Sequence, residues 1–190
     1  DFKVKELTDE EQAFLNGPVV TPCEMLADFE IAQLRDLPKP VRQFIKKNKF
    51  LGMIIPKEWG GLGFSAAAHS AVVAKISSVR CTTAVTVMVP NSLGPGELLL
   101  RYGTKKQQER YLAKLAIGEE EPCLGLTEPT AGSDAANGQA YGIVCHGMHE
   151  GKKVLGMRLT FSKRYITLAP VATVVGLAFK LRDPEGLLGG

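Results

Sequence analysis

Apolar residues recur with helical spacing through the first two-thirds of the chain and in short alternating runs through the last third. Leu7-Thr8-Asp9-Glu10-Glu11 predicts a helix start, with Thr8 as N-cap and Glu11, three residues on, completing a capping box. Gly17-Pro18 is expected to break or kink that helix, and Thr21-Pro22 restarts it with proline at the first helical position. Met25, Leu26, Phe29 and Ala32 then form an apolar stripe of helical period. After Leu37-Pro38-Lys39-Pro40 a short helix buries Val41, Phe44 and Ile45. Ser65 caps a helix whose inner face is Ala68, Val72 and Ile76. The apolar stretch from Thr82 to Leu100 predicts a long helix with a kink or irregular turn near Pro90. Thr104 and Gln107 make a second capping box, Tyr111, Leu112 and Leu115 point inward, and Gly118 ends the helix.

Between these helices, Phe50 to Ile55 is apolar without helical spacing. Pro56 stops it, and Trp59-Gly60-Gly61-Leu62-Gly63 follows. So many glycines together mark a tight loop whose backbone passes close to something. From residue 119 the pattern changes. Glu119-Glu120-Glu121-Pro122 is a charged break, and Cys123 to Leu126, Gly142 to Cys145, Val154 to Thr160, Tyr165 to Leu168 and Val171 to Phe179 read as strands separated by turn residues. The expected class is α+β: an all-α domain over residues 1–118, then the first part of an antiparallel β-barrel or sandwich over 119–190. About 70 residues of sheet alone are marginal, so the missing strands are expected from a longer parent chain. Asp1 is not an initiator residue, which suggests a start that has been trimmed or processed.

Composition narrows the function without naming it. With 45% hydrophobic and 23% charged residues, the 190-residue chain reads as globular. The net charge of +3 arises from 23 basic against 20 acidic residues, scattered except at Lys46, Lys47 and Lys49. That run reads as a solvated helix end and argues against nucleic-acid binding. Cys23, Cys81, Cys123 and Cys145 form no C-x-x-C pair and make no zinc pattern with His69, His146 and His149, so no metal is expected. His146 and His149 flank Gly147 in a hairpin and read as an exposed pair. Isolated cysteines suit a reducing compartment, and neither a signal-peptide pattern nor a long apolar run is present.

Leu126-Thr127-Glu128-Pro129-Thr130-Ala131-Gly132-Ser133-Asp134 is the most informative segment. It predicts a strand ending in a loop with hydroxyls at 127, 130 and 133, and the amides of Gly132, Ser133 and Asp134 can point at an anion. The plainer alternative is a turn in which Ser133 and Asp134 satisfy backbone groups. This segment resembles the Leu-Thr-Glu-Pro-x-Ala-Gly-Ser-Asp signature of the acyl-CoA dehydrogenase family. Ile55-Pro56-Lys57-Glu58-Trp59-Gly60-Gly61-Leu62-Gly63, Asn91-Ser92-Leu93-Gly94 and Tyr102-Gly103-Thr104 through Tyr111-Leu112 are similar to further family segments, in the same order. The likeness is nearest to the long bacterial fatty-acyl-CoA dehydrogenases.

The resemblance implies FAD as cofactor. Leu126 and Thr127 would meet the pyrimidine side of the isoalloxazine through backbone amides and the Thr127 hydroxyl. Gly132 and Ser133 would face the flavin pyrophosphate, and Ser133 also the pantetheine arm of the substrate. Tyr165-Ile166-Thr167 resembles an aromatic-x-Thr segment whose aromatic covers the flavin and whose threonine reaches N5. Most relatives carry tryptophan there, and an ordinary strand aromatic facing the core is the alternative for Tyr165. Val85, Thr86, Val89, Pro90 and Leu93 match the helix lining the acyl pocket, and the resemblance implies Val89 and Leu93 as substrate contacts; as a bare pattern they are a buried apolar face. Tyr141 departs from the family's usual Thr-x-Ala and puts contacts around Gln139 to Tyr141 in doubt.

The implied reaction is α,β-dehydrogenation of a fatty acyl-CoA in β-oxidation, with hydride passing to flavin N5. The family's general-base glutamate belongs to a C-terminal helical domain absent here, so no catalytic residue is named and the chain alone is expected to be inactive and to hold flavin poorly. The implied partners are fatty acyl-CoA and an electron-transfer flavoprotein, in a full-length homo-oligomer. The implied location is the bacterial cytoplasm, with peripheral contact with the inner membrane left open. A non-catalytic acyl-CoA-binding or scaffold relative and a related flavoprotein oxidase are the alternatives.

Overall fold

The computed structural model describes residues 6–25, 28–92 and 94–189. The chain forms two compact units. One runs to Cys123 and takes in Leu168–Val174; the other comprises Leu124–Thr167 and the residues from Val175 onward.

The first unit is helical, with α1 (Asp9–Asn16), α2 (Val20–Glu24), α3 (Asp28–Leu34), α4 (Lys39–Lys47), α5 (Ala66–Ser77), α6 (Cys81–Ser92), α7 (Pro95–Tyr102) and α8 (Lys105–Ile117). Both capping boxes form: Thr8 and Glu11 satisfy each other's backbone amides at α1, and Thr104 and Gln107 do so at α8. Gly118, at φ 71°, closes α8 in the left-handed conformation. The predicted inner faces are buried: Val41 and Ile45 on α4, Ala68, Val72 and Ile76 on α5, Leu112 and Leu115 on α8. At their centre Phe14 packs on Phe50 and Phe64, ring centroids 4.9 and 5.2 Å apart.

Three helical expectations change. Pro22 occupies the third position of α2, still within the first turn, where its missing amide costs nothing. The stripe from Met25 to Ala32 does not face the core: Phe29 is 77% exposed, Met25 and Ala32 are exposed, and Leu26 lies outside the described residues. Period arguments need one continuous helix, and α2 ends at Glu24 before α3 begins at Asp28, where Ile31 is the buried residue. The run from Thr82 to Leu100 is two helices. Pro90 is accommodated inside α6, and the break falls at Gly94-Pro95, where proline enters at the first position of α7.

Phe50–Ile55 starts as a 3-10 turn over Phe50–Gly52 and buries Phe50, Leu51, Met53 and Ile55. The glycine loop folds back on this segment. Gly61 donates to Pro56 O, Leu62 to Gly52 O, Gly63 to Ile55 O and Phe64 to Met53 O. A Cβ on Gly61 would stand 2.0 Å from Ile55 O, so what the loop passes close to is the chain's own backbone. Glu121, read as part of a charged break, is instead buried and takes Arg42 and Lys46 at 2.7 Å each.

The strands are β1 (Pro122–Gly125), β2 (Tyr141–His149), β3 (Lys152–Thr160), β4 (Val174–Leu177) and β5 (Lys180–Arg182). β1 pairs with β4; β3, β2 and β5 form a second, three-stranded sheet. β2 and β3 are antiparallel, with Tyr141 opposite Thr160 and His149 opposite Lys152, whereas β5 joins β2 in parallel. Gly142 faces the Phe179 ring, which a Cβ would meet at 2.8 Å. Tyr165 to Leu168 is not a strand, and of Val171 to Phe179 only Val174–Leu177 is one. Tyr165 and Leu168 have φ of 55° and 66°, left-handed values that an extended strand cannot contain. No helix among the described residues is long and apolar enough to cross a membrane.

Candidate functional site

β1 leads directly into the 126–134 segment. Leu126 donates its amide back to Leu124 O at 3.1 Å, so that amide is already used. Glu128 and Ala131 exchange both backbone bonds, at 3.0 and 3.3 Å, and close a turn with Pro129 and Thr130 at its exposed corners. Beyond it the turn's own needs are met, yet donors remain. The amides of Thr127, Gly132, Ser133 and Asp134 and the hydroxyls of Thr127, Thr130 and Ser133 make no hydrogen bond among the described residues. Gly132 is exposed, and a Cβ there would meet nothing within 4 Å.

Glu128 organises this loop. It is 4% exposed and its carboxylate is fully engaged. Oε1 accepts from the Ala140 amide at 2.9 Å and from Lys163 Nζ at 2.7 Å, and Oε2 accepts from the Gln139 amide. The ammonium of Lys163 and the Gln139 amide outweigh burial and hold the carboxyl at about 2, so it is an anion at any ordinary pH. Lys163 Nζ also donates to Leu126 O at 3.0 Å. The next residue continues the connection, Arg164 giving its amide to Thr127 O at 3.1 Å.

Two segments 35 positions apart are therefore held side by side, and this explains why the second is no strand. With Lys163 and Arg164 committed to the carbonyls of Leu126 and Thr127, the chain turns at Tyr165 instead of continuing a ladder. The Tyr165 ring is 81% exposed, with the Arg164 guanidinium carbon 4.8 Å from its centroid, so the core-aromatic reading fails. Thr167 is exposed in the following turn. Beneath the loop lies a cavity of about 220 Å³ walled by Leu126, Glu128, Ala140, Lys163, Ala178 and Phe179.

The predicted substrate contacts belong to the helical unit. Val89 is 6% exposed on α6, and Leu93 lies outside the described residues. Thr86 is 7% exposed and its hydroxyl is spent on Thr82 O at 2.9 Å. The helical unit has a cavity of about 330 Å³, lined by Ile54, Phe64, His69, Asn91, Leu100 and Arg101 among others, and Val85, Thr86, Val89 and Pro90 do not reach it.

The chemistry of the set around 126–134 and 165–167 suits a flavin dinucleotide. Three consecutive amides and a serine hydroxyl without partners match the oxygens of a pyrophosphate. Leu126, at 38% exposure, and the uncovered Tyr165 ring offer apolar surface for a flat ring, and Thr127 adds an amide and a hydroxyl for a polar ring edge. Glu128 and Lys163 were not singled out from the sequence as site residues. Glu128 sits inside the motif and was legible there as a carboxylate between a threonine and a proline; its partner at 163 carries no such signal.

Comparison with known proteins bears on the family and the fold. The family model described as "Acyl-CoA dehydrogenase, N-terminal domain" matches residues 8–119. The caffeyl-CoA reductase-Etf complex subunit CarC of Acetobacterium woodii is 32% identical over 189 residues, 100% of this chain and 43% of its own length. The very long-chain specific acyl-CoA dehydrogenase of Mus musculus mitochondria is 33% identical over 135 residues, 69% of this chain and 20% of its own. The chain thus spans less than half the length of these curated relatives. The solved structure of butyryl-CoA dehydrogenase from Megasphaera elsdenii superposes with a TM-score of 0.71 at 23% identity, over 92% of this chain and 45% of that one, and shows the same fold.

Proposed function

The chain belongs to the acyl-CoA dehydrogenase family, and from that premise we propose that it forms the helical and flavin-cradling part of an FAD-dependent enzyme oxidising fatty acyl-CoA thioesters between Cα and Cβ. The supporting observation is the run of unpartnered donors at 132–134, together with the Arg164–Thr127 backbone bond that joins Thr127 to the segment carrying the uncovered Tyr165.

In this reading the amides of Gly132, Ser133 and Asp134 hold the pyrophosphate of FAD, Thr127 orients the polar edge of its ring and Tyr165 covers the ring face. Thr167 adds a hydroxyl toward the ring, and Ser133 also meets the substrate's pantetheine arm. Bound FAD supplies the hydride acceptor, which no side chain can be. Glu128 is excluded as the proton-abstracting base, because its carboxylate is tied to Lys163 and two amides and held at about 2. We assign proton removal to a carboxylate outside these 190 residues. The full-length protein is then a homo-oligomer passing electrons to an electron-transfer flavoprotein in the bacterial cytoplasm.

The likeness to a caffeyl-CoA reductase subunit over the whole chain favours a second direction for the same chemistry, reduction of an α,β-unsaturated thioester. One experiment separates the two. Full-length protein purified with FAD is mixed anaerobically with palmitoyl-CoA, and separately, after reduction, with cinnamoyl-CoA. Bleaching by palmitoyl-CoA supports the dehydrogenase, reoxidation by cinnamoyl-CoA alone supports the reductase, and a protein without affinity for FAD removes both.

A further inference from the structure

The Glu128 carboxylate and the Lys163 ammonium touch none of the amides and hydroxyls at 127 and 132–134 that would meet the cofactor. The pair's reach into the site runs through one peptide unit. A trans peptide is planar, with its C=O and N–H pointing in opposite directions. Lys163 Nζ holds the Leu126 carbonyl at 3.0 Å, and the N–H of that same unit is Thr127's, which finds no partner among the described residues. Fixing the carbonyl therefore aims the amide. Glu128 in turn fixes Lys163, at 2.7 Å, with both side chains less than a tenth exposed. The same carboxylate anchors the amides of Gln139 and Ala140 and so locks the start of β2 to the loop. Arg164 N, one residue on, takes Thr127 O at 3.1 Å, so both carbonyls of the Leu126-Thr127 pair are clamped by the segment that carries Tyr165.

We propose that Glu128 and Lys163 are positioning residues: a buried ion pair that turns the Leu126–Thr127 peptide so that the Thr127 amide faces the flavin ring, and that holds Tyr165 on the same side. The inference rests on the reading of 126–134 and 165–167 as the FAD site. A buried pair suits this task because loss of either partner leaves an unpaired buried charge, so each side chain holds the other in place.

The test uses the full-length flavoprotein with Lys163→Met, Glu128→Gln, the double variant and Lys163→Arg. The readouts are FAD dissociation constant, flavin midpoint potential and visible spectrum. Each single neutral variant is expected to weaken FAD binding by about tenfold or more and to shift the potential, the double variant being no worse than the weaker single. Lys163→Arg keeps the ion pair but not the single donor at Leu126 O; it is expected to fold, to bind FAD and still to shift the potential, which keeps the test decisive if the neutral variants do not fold. Folded variants with wild-type potential, spectrum and FAD affinity overturn the positioning role. A wild-type protein that takes up no FAD instead removes the reading of the site, and this inference with it.

Discussion

Glu11 Oε1 accepts the backbone amide of Ser65 at 2.7 Å, across 54 positions of sequence, while Oε2 accepts the Thr8 amide at 2.9 Å. One carboxylate thus completes the capping box of α1 and satisfies the residue that caps α5. Burial pushes the Glu11 carboxyl up, but the amides and hydroxyls of Ser65 and Thr8 outweigh it and hold it at about 2.

The sign follows from that depression. Stability from Glu11 is present above the ordinary carboxylate value near 4.5 and is lost as pH falls through about 2. Glu11→Gln should therefore flatten part of the acid limb of an unfolding titration between those values. Glu11→Ala should cost about 2 kcal/mol at pH 7 in urea unfolding, since two hydrogen bonds to a charged group disappear. An unchanged midpoint at pH 7 would refute the bridging role.

Gly60 and Gly61 should respond differently to alanine although they are neighbours. Gly60 has φ 86° and open space around it, so Gly60→Ala carries only left-handed strain, about 1–2 kcal/mol. Gly61→Ala drives a methyl to 2.0 Å from Ile55 O and should cost more than about 3 kcal/mol or abolish folding. Equal melting shifts for the two variants would contradict the close approach.

Gly132 offers a separation of stability from binding. Its Cβ would touch nothing within 4 Å, so Gly132→Ala should leave stability within about 0.5 kcal/mol. If the amides beside it grip a pyrophosphate, the same methyl stands where the ligand approaches, and FAD affinity of the full-length protein should fall by about tenfold. Equilibrium dialysis against FAD, paired with thermal melting, measures both.

Tyr165 is strained and uncovered, two features that the fold itself does not need. Tyr165→Gly removes the cost of φ 55° and should hold or raise stability by up to about 1 kcal/mol, because only an exposed contact with Arg164 is lost. The full-length variant should nonetheless retain FAD less well, seen as a lower flavin-to-protein ratio after gel filtration. A destabilised variant with full flavin would place the residue's role in the fold instead.

Local chemistry explains what was readable beforehand. Thr8 with Glu11, Thr104 with Gln107, Ser65 and Gly118 act within a few residues of themselves, and so the helix ends and the inner faces of α4, α5 and α8 appear in the sequence as they do in space. The motif at 126–134 was equally visible, since turn, free donors and glycine all lie within one stretch. The stripe from Met25 to Phe29 misled because period alone does not reveal that α2 and α3 are separate helices. Tyr165 misled because an apolar, β-forming run looks like a strand until something elsewhere in the chain bends it.

That distinction is general to this protein. Its sequence alone determined the capped starts of α1, α5 and α8, the change to sheet near residue 119 and the loop that marks the family, because each depends on neighbours along the chain. Only the tertiary structure decided that Lys163 meets Glu128, that Arg164 meets Thr127 and that Glu11 serves Ser65. Those contacts depend on where distant backbone is carried, and an ion pair closed over 35 residues leaves no periodic trace in the residues between.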